Sequence, residues 1–145
     1  MRKIKFRGYA VEELVGSQWI TDGYGVTKIK YTDGTSSVHL LTPYGDYGVE
    51  EKSVGQYTGL KDKNGTEIYE GDIVKIEFDM FFMNFGLNEH IKEHGNKYEF
   101  VGEVKYYDGA FHIDNNKDEA YDLFHEINTV EVIGRIYENP ELLED

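Results

Sequence analysis

Residues 56–76 read QYTGLKDKNGTEIYEGDIVKI and place glycines at a fixed interval between short apolar runs. Gly59, Gly65 and Gly71 are six positions apart, which is too wide for the glycine loops that bind dinucleotides or phosphates. Such loops also open a helix, whereas these glycines separate strand-like segments. We therefore interpret all three as turn residues.

The same stretch predicts a hairpin followed by a strand. Asn64-Gly65 supplies the positive φ values that a tight hairpin turn needs, and Gly71 marks a second turn. Residues 73–78 then alternate between apolar and charged side chains, which is typical of a half-buried strand. A Gly-Asp pair before such a strand is common in small SH3-like barrels, so we expect one from about Val54 onward.

Similar patterns extend the β prediction along the chain. Asp33-Gly34 predicts a hairpin between strands at 26–31 and 37–42, and Asp108-Gly109 predicts another between 98–107 and 110–113. Residues 129–137 again alternate. The fold class is therefore mainly β, a twisted sheet or partial barrel, in one domain over 1–145 with N-terminal hairpins over about 1–53 and a barrel-like part over about 54–145.

Other segments lack this alternation. Residues 43–48, PYGDYG, predict a loop from their Pro and Gly content. Asn139 and Pro140 predict the N-cap and first residue of a terminal helical turn that reaches Leu143. One further short amphipathic helix is predicted by apolar residues at helical spacing: Ala120, Leu123, Phe124 and Ile127.

Composition indicates a folded protein with its own core. The chain has 145 residues, of which 39% are hydrophobic and 14% aromatic, and only two are prolines. A disordered chain is poor in aromatic residues. The absence of cysteine excludes disulfides, thiolate metal sites and a cysteine nucleophile. Because no apolar run follows the basic N-terminus, we expect neither a signal peptide nor a membrane span, and we expect a cytoplasmic location.

The net charge of −13 is unevenly distributed. Residues 1–75 hold ten basic and eleven acidic side chains, whereas residues 76–145 hold five and seventeen. So acidic a surface repels polyanions, and direct binding of nucleic acid is therefore disfavoured. The exception is the N-terminus, where the alternation predicts a strand with Lys3, Lys5 and Arg7 on a solvated face and Ile4 and Phe6 on a buried face; Arg2 adds a fourth cation. A contact surface is the open alternative.

The segment 79–98 contains the most specific catalytic motif. His90, Glu93 and His94 fit the H-x-x-E-H pattern, in which two histidines on a helix bind zinc and the glutamate acts as base. The motif lies between two glycines that leave about two helical turns at most, and isolated helices this short are marginal. We therefore interpret it as a solvated helical turn, with adventitious or catalytic metal binding by His90 and His94 as the open alternatives.

A neighbouring apolar cluster has two interpretations. It is either part of the core, which is the default for aromatic residues, or an exposed patch that marks a partner surface. Its members are Met80, Phe81, Phe82, Met83 and Phe85.

The remaining polar groups support no defined chemistry. The densest oxygen cluster lies in a segment expected to be a solvated loop, and no loop has the order of a calcium hand. The cluster comprises Asp114, Asn115, Asn116, Asp118 and Glu119. His39, His112 and His125 fall in periodic segments, where a structural histidine is the usual role, and no Ser-His-Asp order is evident. We therefore assign no catalytic, cofactor-binding or metal-ligating residue, and no cofactor.

The chain closely resembles the YopX family of bacteriophage and prophage proteins. The resemblance is carried by IKFR at 4–7, VGQYTGLKDKNGTEIYEGDIV at 54–74 and EVIGRIYENPELL at 131–143. It implies a compact, mainly β, phage-encoded protein without an established biochemical activity. It supplies no catalytic positions, and residues 12–52 and 79–98 match no family pattern.

Two classes of function follow. The first is a non-enzymatic interaction module that binds a host or phage protein through the acidic second half and the aromatic cluster, with self-association as a further possibility. A variant of it is an acidic mimic of nucleic acid that occupies a DNA-binding host protein. The rival class is a small enzyme, either a metal-dependent hydrolase using His90, Glu93 and His94 or a barrel protein acting on nucleotides. We favour the first class, with no membrane partner.

Overall fold

A computed structural model of the chain describes residues 3–79, 92–94, 97–123 and 129–144. It contains two compact units, Met1–Gly59 and Leu60–Asp145. Over the described residues the fold is mainly β, as predicted, with three antiparallel sheets. None of these sheets closes into a barrel, so the expected SH3-like barrel is not present in closed form.

The first unit is built on two sets of antiparallel strands. Its strands are β1 (Phe6–Tyr9), β2 (Trp19–Gly23), β3 (Gly25–Lys30), β4 (Ser36–Thr42), β5 (Gly45–Val49) and β6 (Gly55–Lys61), whose last two residues belong to the second unit. A 3-10 helix, Glu51–Ser53, precedes β6. β1 pairs with β2 and β6, and β4 is the central strand of the three-stranded sheet β3-β4-β5.

One face of the β3-β4-β5 sheet supplies the core of this unit. Val38 and Leu40 alternate along β4, and Val49 on β5 lies opposite Val38. All three are buried, and Phe6 and Ile20 pack against them. Because side chains alternate between the two faces of a strand, the intervening residues of β4 lie on the other face of the sheet.

The second unit contains a six-stranded antiparallel sheet. Strand β7 (Glu67–Tyr69) precedes this sheet in the chain. The six strands of the sheet are β8 (Asp72–Asp79), β9 (Lys92–His94), β10 (Lys97–Tyr107), β11 (Ala110–Asp114), β12 (Ala120–Asp122) and β13 (Val130–Arg135). The order is β12-β11-β10-β8-β13, with β9 also paired to β10, and a 3-10 helix at Pro140–Leu143 follows.

The core of the second unit follows the alternation that the sequence predicts. Val74 and Ile76 on β8, together with Phe100 and Val104 on β10, are completely buried. Leu123 joins the same cluster. Phe100 also meets the ring of Tyr121 edge to face, with 4.8 Å between ring centroids, a favoured geometry for aromatic pairs.

Turn predictions from local sequence are confirmed in the hairpins. Asp62 N–H donates to the carbonyl of Thr66 around the Asn64-Gly65 turn, and Gly65 has φ of 83°. Asp108 and Gly109 adopt φ of 52° and 79° between β10 and β11. Gly59 also has a positive φ, 87°, but it lies within β6 and not in a turn.

Two other predictions of local structure are wrong. Residues 43–48 were expected to form a loop, yet Gly45–Val49 is strand β5, fully paired with β4. Ala120 was expected in a helix, yet Ala120–Asp122 is strand β12, paired with β11. Phe124, Ile127 and His125 lie outside the described residues.

The C-terminal turn differs from the prediction in its cap. The 3-10 helix begins at Pro140 as expected, but the Asn139 side chain makes no N-cap hydrogen bond. Its Oδ1 accepts instead from the N–H of Arg135, at 3.1 Å, which ties the turn to the end of β13.

Candidate functional site

Strand β3 is the most exposed regular element that the structure describes. Every residue after Gly25 in this strand is exposed, in contrast to the alternating burial of its neighbour β4. Within the described part of the chain, β3 pairs with β4 alone. Its other edge is therefore available for pairing, and an unpaired edge is a template for another strand.

Apolar and cationic side chains share this strand. Val26 and Ile29 are 39% and 40% exposed, and Tyr31, just beyond the end of the strand, is 48% exposed. Lys28 and Lys30 share a face with Val26 and alternate with Ile29 and Tyr31, and Lys28 Nζ lies 3.3 Å from the carboxylate of Glu51. This ion pair is solvated, and exposed pairs contribute little stability.

The hydrogen-bond register shows which backbone groups point away from β4. The N–H of Tyr31 donates to the carbonyl of Thr35 at 2.9 Å and closes the hairpin. Hydrogen-bonded and non-hydrogen-bonded pairs alternate along an antiparallel ladder. Every second residue of β3, counted back from Tyr31, is therefore hydrogen-bonded to β4, and the residues between them are not. The backbone groups of Lys30, Lys28 and Val26 are consequently directed outward.

The solvent-facing side of the same sheet carries a chain of polar contacts. The hydroxyls of Tyr31 and Ser37 are 2.8 Å apart. Ser37 Oγ lies 2.7 Å from His39 Nε2, and His39 Nδ1 lies 3.0 Å from Asp46 Oδ1. We call these four residues the polar relay.

Strand register creates the polar relay. Ser37 and His39 are two apart on β4 and share a face, while Asp46 stands opposite Leu41, diagonal to His39. Diagonal neighbours across antiparallel strands lie within reach of long side chains. The relay borders a groove of about 620 Å³, with Glu12, Glu50 and Glu51 among its other lining residues.

The sequence signalled only part of this relay. The i, i+2 spacing of Ser37 and His39 indicates a shared face once β4 is recognised. Asp46 could not be placed, because the segment that holds it was expected to be a loop. His39 was expected to be structural, and no Ser-His-Asp order was recognised.

The predicted cationic N-terminal strand is wrong in its details. Strand β1 begins only at Phe6. Arg7 is 3% exposed, and its guanidinium lies over the ring of Trp19, 4.9 Å from the ring centroid. Ile4, expected to be buried, is 64% exposed. Lys5 is also engaged, with its ammonium 5.1 Å from the centroid of the Tyr57 ring, while Arg2 lies outside the described residues.

The Asn64-Gly65 loop is held by a buried carboxylate. Asp62 Oδ1 accepts from the N–H groups of Asn64 and Thr66, and Oδ2 accepts from Val132, each at 2.9 Å. Burial raises the pKa of Asp62, but the three backbone donors outweigh it and hold this pKa below its ordinary value. The most characteristic stretch of the sequence is therefore a structural element.

The oxygen cluster at 114–119 is more ordered than the expected solvated loop. Asn115 is 6% exposed, and its Oδ1 accepts from the N–H groups of Lys117, Asp118 and Glu119. Asn116 has φ of 65° and donates to Glu103. The Asn115 side chain thus holds the backbone of the loop in place, which is a structural role.

Tyr107 lies beside this loop on β10. Its hydroxyl donates to Asp114 Oδ2 at 3.2 Å, and its ring stacks on His112 with 4.1 Å between ring centroids. Burial raises the pKa of Tyr107 above its ordinary value, and the negative charges of Asp114 and Asp108 and the hydrogen bond to Asp114 raise it further. The phenol therefore stays protonated at neutral pH.

Lysines neutralise part of the acidic surface of the second unit. Lys63 lies 4.0 Å from Glu77 and 3.9 Å from Glu131, and Lys75 lies 3.7 Å from both Glu99 and Glu131. Two cations thus face three carboxylates on adjacent strands. This part of the sheet presents little net charge.

The zinc motif lacks the helix that it needs. Glu93 and His94 belong to strand β9, so the predicted helical turn is wrong there. His90 lies outside the described residues, as do Met80, Phe81, Phe82, Met83 and Phe85. Among the residues that the structure describes, no group of three histidine or carboxylate side chains is placed to hold a metal ion.

Comparison with known proteins identifies the family. The sequence model of the family described as YopX protein matches residues 5–144. The chain belongs to the YopX family. No helix in the described ranges is long and apolar enough to cross a membrane.

A curated relative extends the comparison. The "SPbeta prophage-derived uncharacterized protein YopX" of Bacillus subtilis (strain 168) is 41% identical over 85 residues, which are 55% of this chain and 52% of the relative. The chain thus matches about half the length of this YopX protein.

Two solved structures are similar to the chain. The crystal structure of YopX from Bacillus subtilis has 23% identity and a TM-score of 0.49, covering 100% of this chain and 98% of that one. Protein EF1440 from Enterococcus faecalis has 26% identity and a TM-score of 0.49, covering 99% and 100%.

Proposed function

We propose that this YopX-family chain is a protein-interaction module of phage or prophage origin, whose β3 edge takes up an extended acidic segment of a host or phage protein. The observation that supports it is the edge of β3 whose backbone groups are directed outward and which pairs with no other strand among the described residues. Addition of a strand to a free edge is a common mode of peptide recognition, in which backbone hydrogen bonds give affinity and alternate side chains give specificity.

The lysine charges on β3 indicate which kind of segment would bind at its edge. Lys28 and Lys30 accompany the outward backbone groups of β3, and both side chains are exposed. A second copy that paired through the same edge would bring lysines against lysines, which is destabilising. An acidic segment would place carboxylates there instead. Lysines also guard natural edges against non-specific pairing, so the proposed partner is one that satisfies these charges.

Apolar side chains would add contact area. Tyr24, Val26, Ile29 and Tyr31 flank the edge and are each at least 39% exposed. Scattered exposed apolar residues are normal, but two within β3 and one just beyond each of its ends would give an extended segment contacts on both faces. The proposed segment therefore alternates apolar and acidic residues.

The acidic mimic of nucleic acid receives less support. The Glu77, Glu99 and Glu131 carboxylates lie beside Lys63 and Lys75 and do not form an array of unneutralised charge. A mimic needs regularly spaced free carboxylates, because it must replace phosphates in a cationic groove.

Binding of a defined peptide tests the proposal. A fluorescent ten-residue peptide that alternates Val with Glu should bind, whereas a peptide with Lys in place of Glu should not. The double variant Lys28→Glu/Lys30→Glu should lose at least tenfold in affinity. Lys52→Glu, the same type of substitution at one exposed position of the 3-10 helix, should bind like the unchanged protein.

Three outcomes would overturn the proposal. The first is equal binding of both peptides, and the second is unchanged binding by the double variant. The third is a dimer of the unchanged protein, detected by sedimentation, that does not form in the double variant. Such a dimer would show that a second copy of the chain occupies the edge.

A further inference from the structure

The polar relay has the geometry of an activated serine. Asp46 Oδ1 lies 3.0 Å from His39 Nδ1, and His39 Nε2 lies 2.7 Å from Ser37 Oγ. A nucleophile in hydrogen-bond contact with a base, and a base oriented by a third group, is the general signature of nucleophilic catalysis by serine.

The carboxylate fixes the direction of every hydrogen bond in the relay. A carboxylate can only accept, so neutral His39 must carry its proton on Nδ1 and leave the lone pair of Nε2 toward Ser37. Ser37 then donates its hydroxyl proton to Nε2. Because that proton is committed, the bond between the two hydroxyls must have Tyr31 as donor and Ser37 as acceptor.

The surroundings leave this serine accessible. Ser37 and His39 are among the residues that line the groove of about 620 Å³. The His39 side chain is 23% exposed, so the base is partly shielded from water and held in place, whereas the Asp46 side chain is 56% exposed. Glu12 and Glu50 also border the groove, which disfavours anionic ligands.

We propose that Ser37 is a nucleophile, activated by His39 and Asp46, that accepts the acyl group of a small neutral or cationic activated ester. This reactivity goes beyond the binding role proposed for the β3 edge and does not depend on it.

The relay itself accepts and returns the proton that the transfer step requires. Ser37 Oγ forms a bond to the acyl carbon while its proton moves to His39 Nε2. The bond from the acyl carbon to the leaving oxygen then breaks, and that oxygen takes the proton from His39. Asp46 stabilises the imidazolium that forms between the two transfers. No oxidant, reductant or further reactant is required.

Acetylation by p-nitrophenyl acetate tests the proposal. We expect one acetyl group per chain, located on Ser37 by peptide mass spectrometry, with release of an equivalent amount of p-nitrophenol. Ser37→Ala should abolish this adduct. His39→Gln should slow its formation by about a hundredfold, the lower range for loss of a general base, and Asp46→Asn should slow it at least tenfold.

Matched controls separate the relay from ordinary surface reactivity. Ser36→Ala changes the adjacent serine, whose side chain lies on the opposite face of β4, and should leave the rate unchanged. The anionic ester 4-acetoxybenzenesulfonate should react more slowly than the neutral ester. Lys28→Glu/Lys30→Glu, designed to abolish binding at the edge, should still allow acetylation of Ser37.

Two results would overturn the proposal. One is acetylation that spreads over Ser36, Ser37 and lysines without preference for Ser37. The other is an unchanged rate of Ser37 acetylation in His39→Gln. Circular dichroism of each variant confirms that its β structure is retained before rates are compared.

Discussion

Asp62 Oδ2 accepts the backbone N–H of Val132 at 2.9 Å, and this bond joins residues that are 70 positions apart. The other carboxylate oxygen holds the Asn64-Gly65 loop through two further N–H groups. One side chain thus shapes a turn and attaches it to β13. Lys63 N–H strengthens the same attachment by donating to the carbonyl of Val130.

Removal of the Asp62 carboxylate should destabilise the fold. Asp62→Ala leaves three N–H groups without their charged acceptor in a site that is 7% exposed. Hydrogen bonds to charged groups contribute about 1.5–3 kcal/mol, so we expect a loss of about 3 kcal/mol in the free energy of unfolding measured in urea.

Asp33 offers a matched control for this experiment. Its Oδ1 also accepts from a backbone N–H, that of Thr35, but the turn is exposed and the contact is local. Asp33→Ala should therefore have a much smaller effect. Equal effects of the two substitutions would contradict the role assigned to Asp62.

The contribution of Asp62 should disappear in acid. Its pKa is lower in the folded protein than its ordinary value of 3.8, so the ionised carboxylate favours the folded state. That contribution to stability is complete at pH values above the ordinary pKa and is lost as the pH falls through the lower pKa of the folded protein. The difference in unfolding free energy between the unchanged protein and Asp62→Asn should therefore be constant near neutral pH and shrink below about pH 4. A difference that grows on acidification would refute this assignment.

Gly102 should tolerate no side chain. A Cβ at this position of β10 would lie 2.8 Å from Ile113 Cγ2 and 3.0 Å from the backbone of Asp114. Overpacking of this kind typically costs about 1–3 kcal/mol, which is the loss we expect for Gly102→Ala in thermal or urea unfolding. Gly48→Ala on β5 is the control, because its Cβ would meet nothing within 4 Å. Comparable losses in the two variants would contradict the assignment of the effect to crowding at Gly102.

The sequence predicts the elements whose structure is set locally. Asp33-Gly34, Asn64-Gly65 and Asp108-Gly109 each place a residue with positive φ in a turn, and the hairpins follow from that geometry. Alternation likewise predicts the buried faces of β8 and β10, because period two is a property of the strand itself.

Pairing partners distant in the chain decide the elements that the sequence does not predict. PYGDYG has the composition of a loop, yet its last four residues belong to β5, whose five positions all pair with β4. Ala120–Asp122 resembles the start of a helix until β11 pairs with it. The polar relay depends on the first of these pairings, and so Asp46 could not be connected to His39 beforehand.

The position of β3 at the edge of the sheet also depends on tertiary pairing. The sequence correctly places Lys28 and Lys30 on one face and Ile29 and Tyr31 on the other. It does not show that the strand is last in the order β3-β4-β5, because strand order is set by tertiary pairing.

Amide hydrogen exchange on β3 is the most direct test of the interaction role. On addition of the alternating Val/Glu peptide, the outward amides of Val26, Lys28 and Lys30 should become protected at least tenfold, while those already bonded to β4 change little. The Val/Lys peptide should give no protection. If the acidic peptide leaves these three amides unprotected under conditions in which it binds, the β3 edge is not the binding site.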